Sequence, residues 1–146
     1  MQKTYLESSA RQTQKFGERF AKSLLKSGPK SQAVVLGLTG DLGGGKTTFL
    51  QGLAKGLGQQ GRVLSPTFII MRRMGRFYHL DCYRLKKPQE LAELGFKKII
   101  ADPKNIVAVE WADRVKKVMP KDTIWLDFYF VDKNKRKIVV RSKHGR

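Results

Sequence analysis

The sequence contains little cysteine and no long apolar run. Cys82 is the single cysteine among 146 residues, which excludes an intrachain disulfide and a cysteine-based metal cluster. The longest apolar run, at residues 33–38, is far shorter than the ~20 apolar residues that a membrane helix needs. Residues 1–14 have no apolar run typical of a signal peptide. We therefore expect a cytoplasmic protein with no membrane span.

Acidic residues are also scarce. Twelve Asp and Glu stand against thirty Lys and Arg, which gives a net charge of +18. A charge of this size makes polyanions the first partners to consider, although a basic surface that only keeps the protein in solution is the alternative. The fractions of hydrophobic and charged residues, 40% and 29%, are ordinary for a globular chain. We expect one domain over residues 1–146.

The order of predicted elements indicates an α/β fold. Apolar residues at helical spacing predict helices over residues 9–26, capped by Ser8 or Ser9, and over residues 46–57, ended by Gly58. The β-favouring run at residues 33–38 is typical of a strand that is covered on both faces. The remaining predictions are a loop at 62–66, strands at 68–71, 76–81 and 105–110, a tight turn at 72–75, a short helix at 89–95, and a hairpin of 123–131 with 137–140.

A phosphate-binding loop connects the first buried strand to the second helix. Gly40-x₄-Gly45-Lys46-Thr47 matches the P-loop pattern, in which glycines let successive backbone N–H groups surround an anion. Lys46 is expected to reach the β- and γ-phosphates, and the Thr47 hydroxyl to join the shell of a Mg²⁺ ion. The residues expected to bind ATP are Gly43, Gly44, Gly45, Lys46, Thr47 and Thr48. No guanine-reading Asn/Thr-Lys-x-Asp motif is present, which favours ATP over GTP.

Two carboxylates could complete this site. Glu110 ends a buried-type strand, and Asp81 ends another, so a parallel sheet would present both at the edge that carries the phosphate loop. We expect Asp81 and Glu110 to be catalytic, and Thr47, Glu110 and Asp81 to serve Mg²⁺. The alternative for each carboxylate is a surface ion pair. His79 is either a packed, hydrogen-bonded side chain or a base or ligand. Trp111 is either a core aromatic or a reporter of nucleotide state.

Four motifs occur in a defined order along the chain. They are the P-loop continued through Phe49, then Ser65-Pro66-Thr67-Phe68, His79-x-Asp81-x-Tyr83-Arg84, and Glu110-Trp111. Taken together they resemble the TsaE family, the small bacterial ATPases of tRNA threonylcarbamoyladenosine biosynthesis. The resemblance spans residues 16–141, and Gly44 stands where the family usually has Ala.

The resemblance implies a single-domain P-loop NTPase fold, with a mainly parallel central sheet, antiparallel additions and flanking helices. It implies that Thr67 lies in a switch-like segment, that Trp111 lies in a second one, and that Glu110 is a Walker B-like carboxylate. Asp81 would serve Mg²⁺ or the catalytic water. The implied activity is weak ATP hydrolysis that resets a transferase complex of TsaB-like and TsaD-like partners between turnovers.

Two other functions share parts of these observations. A small-molecule or nucleoside kinase would share the phosphate loop, but it needs an acceptor pocket and an Arg-bearing lid. A non-catalytic RNA-binding protein would fit the charge, but the paired carboxylates argue against it, and no aromatic-rich motif that reads single-stranded RNA is present.

The basic segments are candidates for direct contact with tRNA. The first is Arg72, Arg73 and Arg76 on the predicted turn. The second comprises Lys133, Lys135, Arg136, Lys137, Arg141, Lys143 and Arg146. Because the second group is distant in sequence from the phosphate loop, we expect it to contribute little to ATP affinity. Contact with an acidic partner protein is the alternative for this surface.

Overall fold

The fold was obtained as a computed structural model that describes residues 2–28, 30–40, 45–59 and 71–142. Its strands are β1 Gln2–Glu7, β2 Val34–Gly40, β3 Met71–Met74, β4 Phe77–Asp81, β5 Ile106–Glu110, β6 Ile124–Phe130 and β7 Arg136–Arg141. Its helices are α1 Ala10–Lys26, α2 Lys46–Gly56, α3 Gln89–Glu93 and α4 Phe96–Ala101, and a 3₁₀ segment covers Ala112–Val118.

The strands of the described residues form one mixed sheet in the order β1-β7-β6-β2-β5-β4-β3. The four central strands, β6, β2, β5 and β4, are parallel. Antiparallel strands extend both sides, β7 and β1 beyond β6 and β3 beyond β4. This arrangement confirms the expected fold class, a parallel centre with antiparallel additions and flanking helices.

Strand β2 lies in the middle of the sheet and is buried on both faces. Val34, Leu36 and Leu38 belong to the core that α1 and α2 cover, whereas Val35 belongs to the core under α3, α4 and the 3₁₀ segment. This alternation explains the continuous apolar run, because successive side chains of a strand enter opposite cores.

Helices α1 and α2 pack in unusually close contact. A Cβ atom on Gly52 would overlap the carbonyl oxygen of Gln14, and one on Gly17 would overlap that of Phe49. Glycine at these positions lets the two backbones touch, which fixes the start of α2 relative to α1. Ser9 caps α1 as the sequence predicted, with its side chain accepting a hydrogen bond from the backbone N–H of Gln12.

The predicted turn at residues 72–75 is wrong. Arg72 and Arg73 lie in β3, and the turn into β4 is at Gly75, with φ of 60°, and Arg76. Edge strands expose much of their surface and often carry basic residues, so β3 lacks the alternating apolar pattern that identifies a strand.

Two predicted segments cannot be compared with the structure, and three observed elements were not predicted. The loop at 62–66 and the strand at 68–71 lie outside the described residues, apart from Met71, which begins β3. Strand β1, helix α4 and the 3₁₀ segment were not predicted. Within the described ranges, none of the helices has the length and apolar character needed to cross a membrane.

Candidate functional site

The two glycines that border the phosphate-loop pattern, Gly40 and Gly45, have backbone conformations that favour glycine. Gly40 has φ of 121°, and a Cβ atom there would overlap the carbonyl oxygen of Phe128 in the neighbouring strand β6. Gly45, with φ of 100°, precedes the first residue of α2, Lys46. Both φ angles are in the range that favours glycine. Gly43 and Gly44 lie outside the described residues.

Lys46 is buried, with 6% of its surface exposed. Its Nζ donates a hydrogen bond to the Gly40 carbonyl oxygen at 2.9 Å and lies 4.2 Å from the centre of the Trp111 ring. The ammonium group is therefore held at the start of α2 by a carbonyl and an aromatic face. Backbone N–H groups at the start of a helix favour anions in the same place.

Glu110 is the second buried charged group of the site. It ends β5, between Leu38 of β2 and Asp81 of β4 in the register of the sheet. Its Oε2 lies 2.7 Å from Nε2 of His79, and both side chains are at most 5% exposed. Since a carboxylate only accepts hydrogen bonds, Nε2 is the donor. His79 is thus a packed, hydrogen-bonded side chain, which was the first of its two sequence-based interpretations.

Asp81 ends β4 beside Glu110, as the two strand-end carboxylates were expected to do. Its Oδ1 accepts a hydrogen bond of 2.9 Å from the backbone N–H of Tyr83. Burial raises the pKa of the Asp81 carboxyl and the charge of Glu110 adds to this, while the Tyr83 N–H, His79 and Lys46 act in the opposite direction. Two neighbouring carboxylates with different surroundings are typical of functional sites.

Trp111 follows Glu110 with φ of 56°, an uncommon conformation for a residue other than glycine. One contact of its ring is Lys46, and another is Tyr83, whose ring centre lies 5.0 Å away. The Arg114 guanidinium lies within 6 Å of both rings. Trp111 therefore connects the buried ammonium group of Lys46 to the half-exposed Tyr83.

A cavity of about 410 Å³ opens at this edge of the sheet. The start of α1, the start of α2, the end of β5 and the turn between β6 and β7 form its walls. The described residues that line it are Ser9, Ala10, Thr13, Gly45, Lys46, Thr47, Thr48, Glu110, Trp111, Lys133, Asn134 and Arg136. Asp81 is not among them.

Lys133 and Arg136 in this lining correct one expectation from the sequence. The C-terminal basic group was expected to act separately from the phosphate loop, yet the fold brings part of it to the same cavity. The physical reason is topological, because β7 pairs with β6, and β6 is the direct neighbour of β2. The β6–β7 turn therefore lies beside the start of α2.

The donor set of the cavity fits a magnesium ion. Thr47 and Glu110, which both line the cavity, can offer oxygen atoms, while no group of three or more His, Cys, Asp or Glu residues in the described part is placed to hold a metal. Mg²⁺ is commonly held by one or two protein oxygens together with substrate phosphates and water. The arrangement is therefore suited to a metal that arrives with a nucleotide.

A second charged cluster lies on the opposite face of the same sheet edge. Asp127 of β6 accepts hydrogen bonds from Thr39 Oγ1 at 2.5 Å, from Arg141 Nε at 2.8 Å and from Arg141 Nη2 at 3.2 Å. Both oxygens of this carboxylate are engaged. Through Asp127, the cluster connects Thr39 near the end of β2 to Arg141 of the terminal hairpin.

Sequence analysis missed Asp127 and all residues of α1 and the hairpin that line the cavity. One signal for Asp127 was available, since an acidic residue inside a predicted apolar strand needs a partner. Thr67, the rest of Ser65–Phe68, Lys143 and Arg146 lie outside the described residues, so these predictions stay open.

Comparison with known proteins agrees with the motifs. The family model for threonylcarbamoyl adenosine biosynthesis protein TsaE matches residues 7–138. The tRNA threonylcarbamoyladenosine biosynthesis protein TsaE of Haemophilus influenzae is 32% identical over 137 residues, which cover 90% of this chain and 85% of that protein. The protein of the same name from Rickettsia prowazekii is 34% identical over 134 residues, or 88% of each chain.

A solved structure shares the fold. The crystal structure of Bacillus subtilis YdiB superposes with a TM-score of 0.77 at 26% identity, and the match covers 97% of this chain and 86% of YdiB.

Proposed function

The chain belongs to the TsaE family of threonylcarbamoyl adenosine biosynthesis proteins, and we propose that it binds ATP with Mg²⁺ and hydrolyses the ATP. We further propose that it does so within tRNA threonylcarbamoyladenosine biosynthesis, the process for which its relatives are named. The observation that carries the proposal is the convergence of Lys46, the start of α2 and Glu110 on one cavity.

Binding would begin with charge neutralisation. The Lys46 ammonium, which donates a hydrogen bond to the Gly40 carbonyl, would bind the β- and γ-phosphates at the start of α2. Thr48 lies in the first turn of the same helix and would support the α-phosphate. Lys133 and Arg136 add positive charge from the facing hairpin, so the phosphates would be enclosed between two basic walls.

The nucleoside end of ATP would lie between the start of α1 and the β6–β7 turn. Ser9, Thr13 and Asn134 line this side of the cavity and offer hydroxyl and amide groups to a ribose or base. A volume of about 410 Å³ is in the usual range for small-molecule sites.

Hydrolysis requires a water molecule held in line with the γ-phosphate. Glu110 faces the cavity with a carboxylate that can accept a proton or orient that water. Thr47 and Glu110 would hold Mg²⁺, which, when bound, supplies positive charge to the phosphate oxygens. Asp81 is next to Glu110 in the sheet, and we propose that it supports Glu110 or the water rather than the phosphates.

The partners remain those that the family resemblance implies. We propose that TsaB-like and TsaD-like proteins dock on this chain, and that ATP hydrolysis resets their complex between turnovers. Direct contact with tRNA stays a prediction. Because Lys133 and Arg136 line the cavity, the Arg72 and Arg73 side chains on the edge strand β3 are the better residues with which to test it.

Replacement of Lys46 tests nucleotide binding. Lys46→Ala should weaken ATP binding by about 2–4 kcal/mol, because a buried charge-assisted contact to phosphate is lost. The matched control is Lys55→Ala on the same helix, where the side chain is 69% exposed. Isothermal titration calorimetry with MgATP should separate the two variants. Equal ATP affinity of folded Lys46→Ala and Lys55→Ala would refute the phosphate-site proposal.

A further inference from the structure

We infer that His79 is a positioning residue for Glu110, an inference that rests on the function proposed above. Its Nε2–H group donates to Glu110 Oε2 at 2.7 Å, and this hydrogen bond restrains the carboxylate of a residue that lines the cavity. His79 itself does not belong to the described lining of that cavity. Its hydrogen-bond contact with the cavity lining is made through Glu110.

Strand register explains how the two side chains meet. His79 is directly beside Ala108, and Glu110 is directly beside Asp81, on two adjacent parallel strands. The imidazole therefore reaches diagonally across the sheet, by two positions, to contact the carboxylate. The small side chain of Ala108 leaves room for this reach.

Burial makes the hydrogen bond necessary for Glu110. The Glu110 side chain is 5% exposed, and a buried carboxylate is costly unless it receives hydrogen bonds. His79 gives it one from a ring that is 1% exposed and therefore has a fixed orientation. A more exposed and mobile donor in place of His79 would restrain the orientation of the Glu110 carboxylate less.

The other ring nitrogen supports the assignment. His79 Nδ1 is buried and has no hydrogen-bond partner within the described ranges. Among those residues, the polar contact of the imidazole is thus made to Glu110. A histidine kept only for packing would gain nothing from this placement, since an apolar side chain would fill the same space without burying a polar atom.

Metal sites commonly depend on such outer partners. Groups that hydrogen-bond to a metal ligand fix its orientation, and their loss typically lowers metal affinity or activity by about 10- to 100-fold. Mg²⁺ is expected to increase the affinity of the wild-type protein for ADP. In His79→Leu this increase should be about 10- to 100-fold smaller. ADP affinity in EDTA should stay close to wild type, because His79 does not line the phosphate-binding wall.

Conservative variants keep the test independent of simple packing loss. His79→Gln places an amide N–H near the position of Nε2 and should restore most of the Mg²⁺-dependent gain. His79→Asn is too short to reach Glu110 and should behave like His79→Leu. Phe77→Leu, on the same strand and the same face, is the control for packing, and should lower the melting temperature while keeping the gain.

A spectroscopic measurement checks the hydrogen bond directly. The chain contains two histidines, His79 and His144, so a His144→Gln variant leaves one imidazole to observe. Long-range ¹H–¹⁵N correlation should show a proton on Nε2 of His79, the nitrogen that contacts Glu110.

Calorimetry with ADP, in Mg²⁺ and in EDTA, decides the matter. A folded His79→Leu variant with the wild-type Mg²⁺-dependent gain would overturn the positioning role while leaving the proposed function intact. Equal loss in the Gln, Asn and Leu variants would overturn it as well. Wild-type protein that shows no Mg²⁺-dependent binding would overturn both proposals.

Discussion

Two carboxylates end up buried at the same edge of the sheet, on opposite faces, with different surroundings. Asp127 receives three hydrogen bonds, from Thr39 and from two nitrogens of Arg141, and both its oxygens are engaged. Glu110 is held through Oε2 by His79 and lines the cavity. Both oxygens of the first carboxylate bind protein groups, while the second carboxylate belongs to a residue that lines a cavity.

The difference shows how burial alone fails to identify a functional carboxylate. Both residues lie at most 9% exposed, and both are close to the phosphate loop in the fold. What separates them is the number and kind of donors, since a guanidinium fork binds a carboxylate on two sides and an imidazole binds it on one. We therefore expect substitution of Glu110 to affect chemistry, and substitution of Asp127 to affect stability.

The largest expected effect follows from Glu110→Gln. Removing the charge while keeping the shape should lower ATP hydrolysis by about 100-fold or more, since a group that orients water and metal is lost. Hydrolysis should be measured with partner proteins present, and ATP affinity by calorimetry should fall much less. Asp127→Asn makes the same chemical change on the opposite face and serves as the control. Wild-type turnover in Glu110→Gln would return Glu110 to a structural ion-pairing role.

Asp127→Asn is expected to have a smaller effect, and on stability instead of hydrolysis. Replacing the charged acceptor of Arg141 and Thr39 should lower the free energy of unfolding by about 1–3 kcal/mol, as measured by urea denaturation. Asp122, an exposed carboxylate that accepts a hydrogen bond from Gln32, provides the matched control, and Asp122→Asn should change stability by at most about 0.5 kcal/mol. The contrast with Glu110 fails if Asp127→Asn keeps full stability but loses hydrolysis.

The smallest effect concerns Asp81 and its dependence on pH. Because burial raises the pKa of the Asp81 carboxyl, the folded state binds this proton more tightly than the unfolded state. Stability should therefore decrease as the pH rises from the ordinary Asp value through the raised one. Asp81→Asn removes this dependence and can still accept the Tyr83 N–H.

Thermal melts in EDTA should accordingly show Asp81→Asn slightly more stable than wild type at pH 7. The difference should shrink toward about pH 4, where the wild-type carboxyl also becomes neutral in the unfolded chain. A variant that is less stable at pH 7 would mean that the attraction of Asp81 to Lys46 outweighs the cost of burial.

The sequence predicted the centre of the fold better than its edges. Strands β2 and β5 and helices α1 and α2 carry continuous or periodic apolar patterns, because each is buried along its length or on one stripe. Strand β1 was not predicted, since its side chains are mostly exposed and only Glu7 is buried. The strand at residues 72–73 was not predicted because β3 is short and carries two successive Arg residues, which gives it no alternating apolar pattern.

The site residues that a local motif marks were predicted, and those that distant strand pairing brings to the site were not. Lys46 and Glu110 were found because a local motif and a strand end are visible in the chain itself. The contributions of Ser9, Lys133 and Arg136 to the cavity depend on the pairing of distant strands, which no local pattern records. The direction of His79 toward Glu110 likewise depends on the register between β4 and β5.

The cavity draws its walls from both ends of the sequence. Residues 9–13 form one wall and residues 133–136 another, and β7 lies between β6 and β1 in the sheet. During synthesis on the ribosome, β1 is made well before β7, its neighbour in the sheet, and cannot pair with it until β7 has also been made. A nascent chain stalled before Lys133 would present a finished α2 and Glu110 beside an open cavity. The complete pocket can therefore form only after the β6–β7 turn has been translated, well after its phosphate loop.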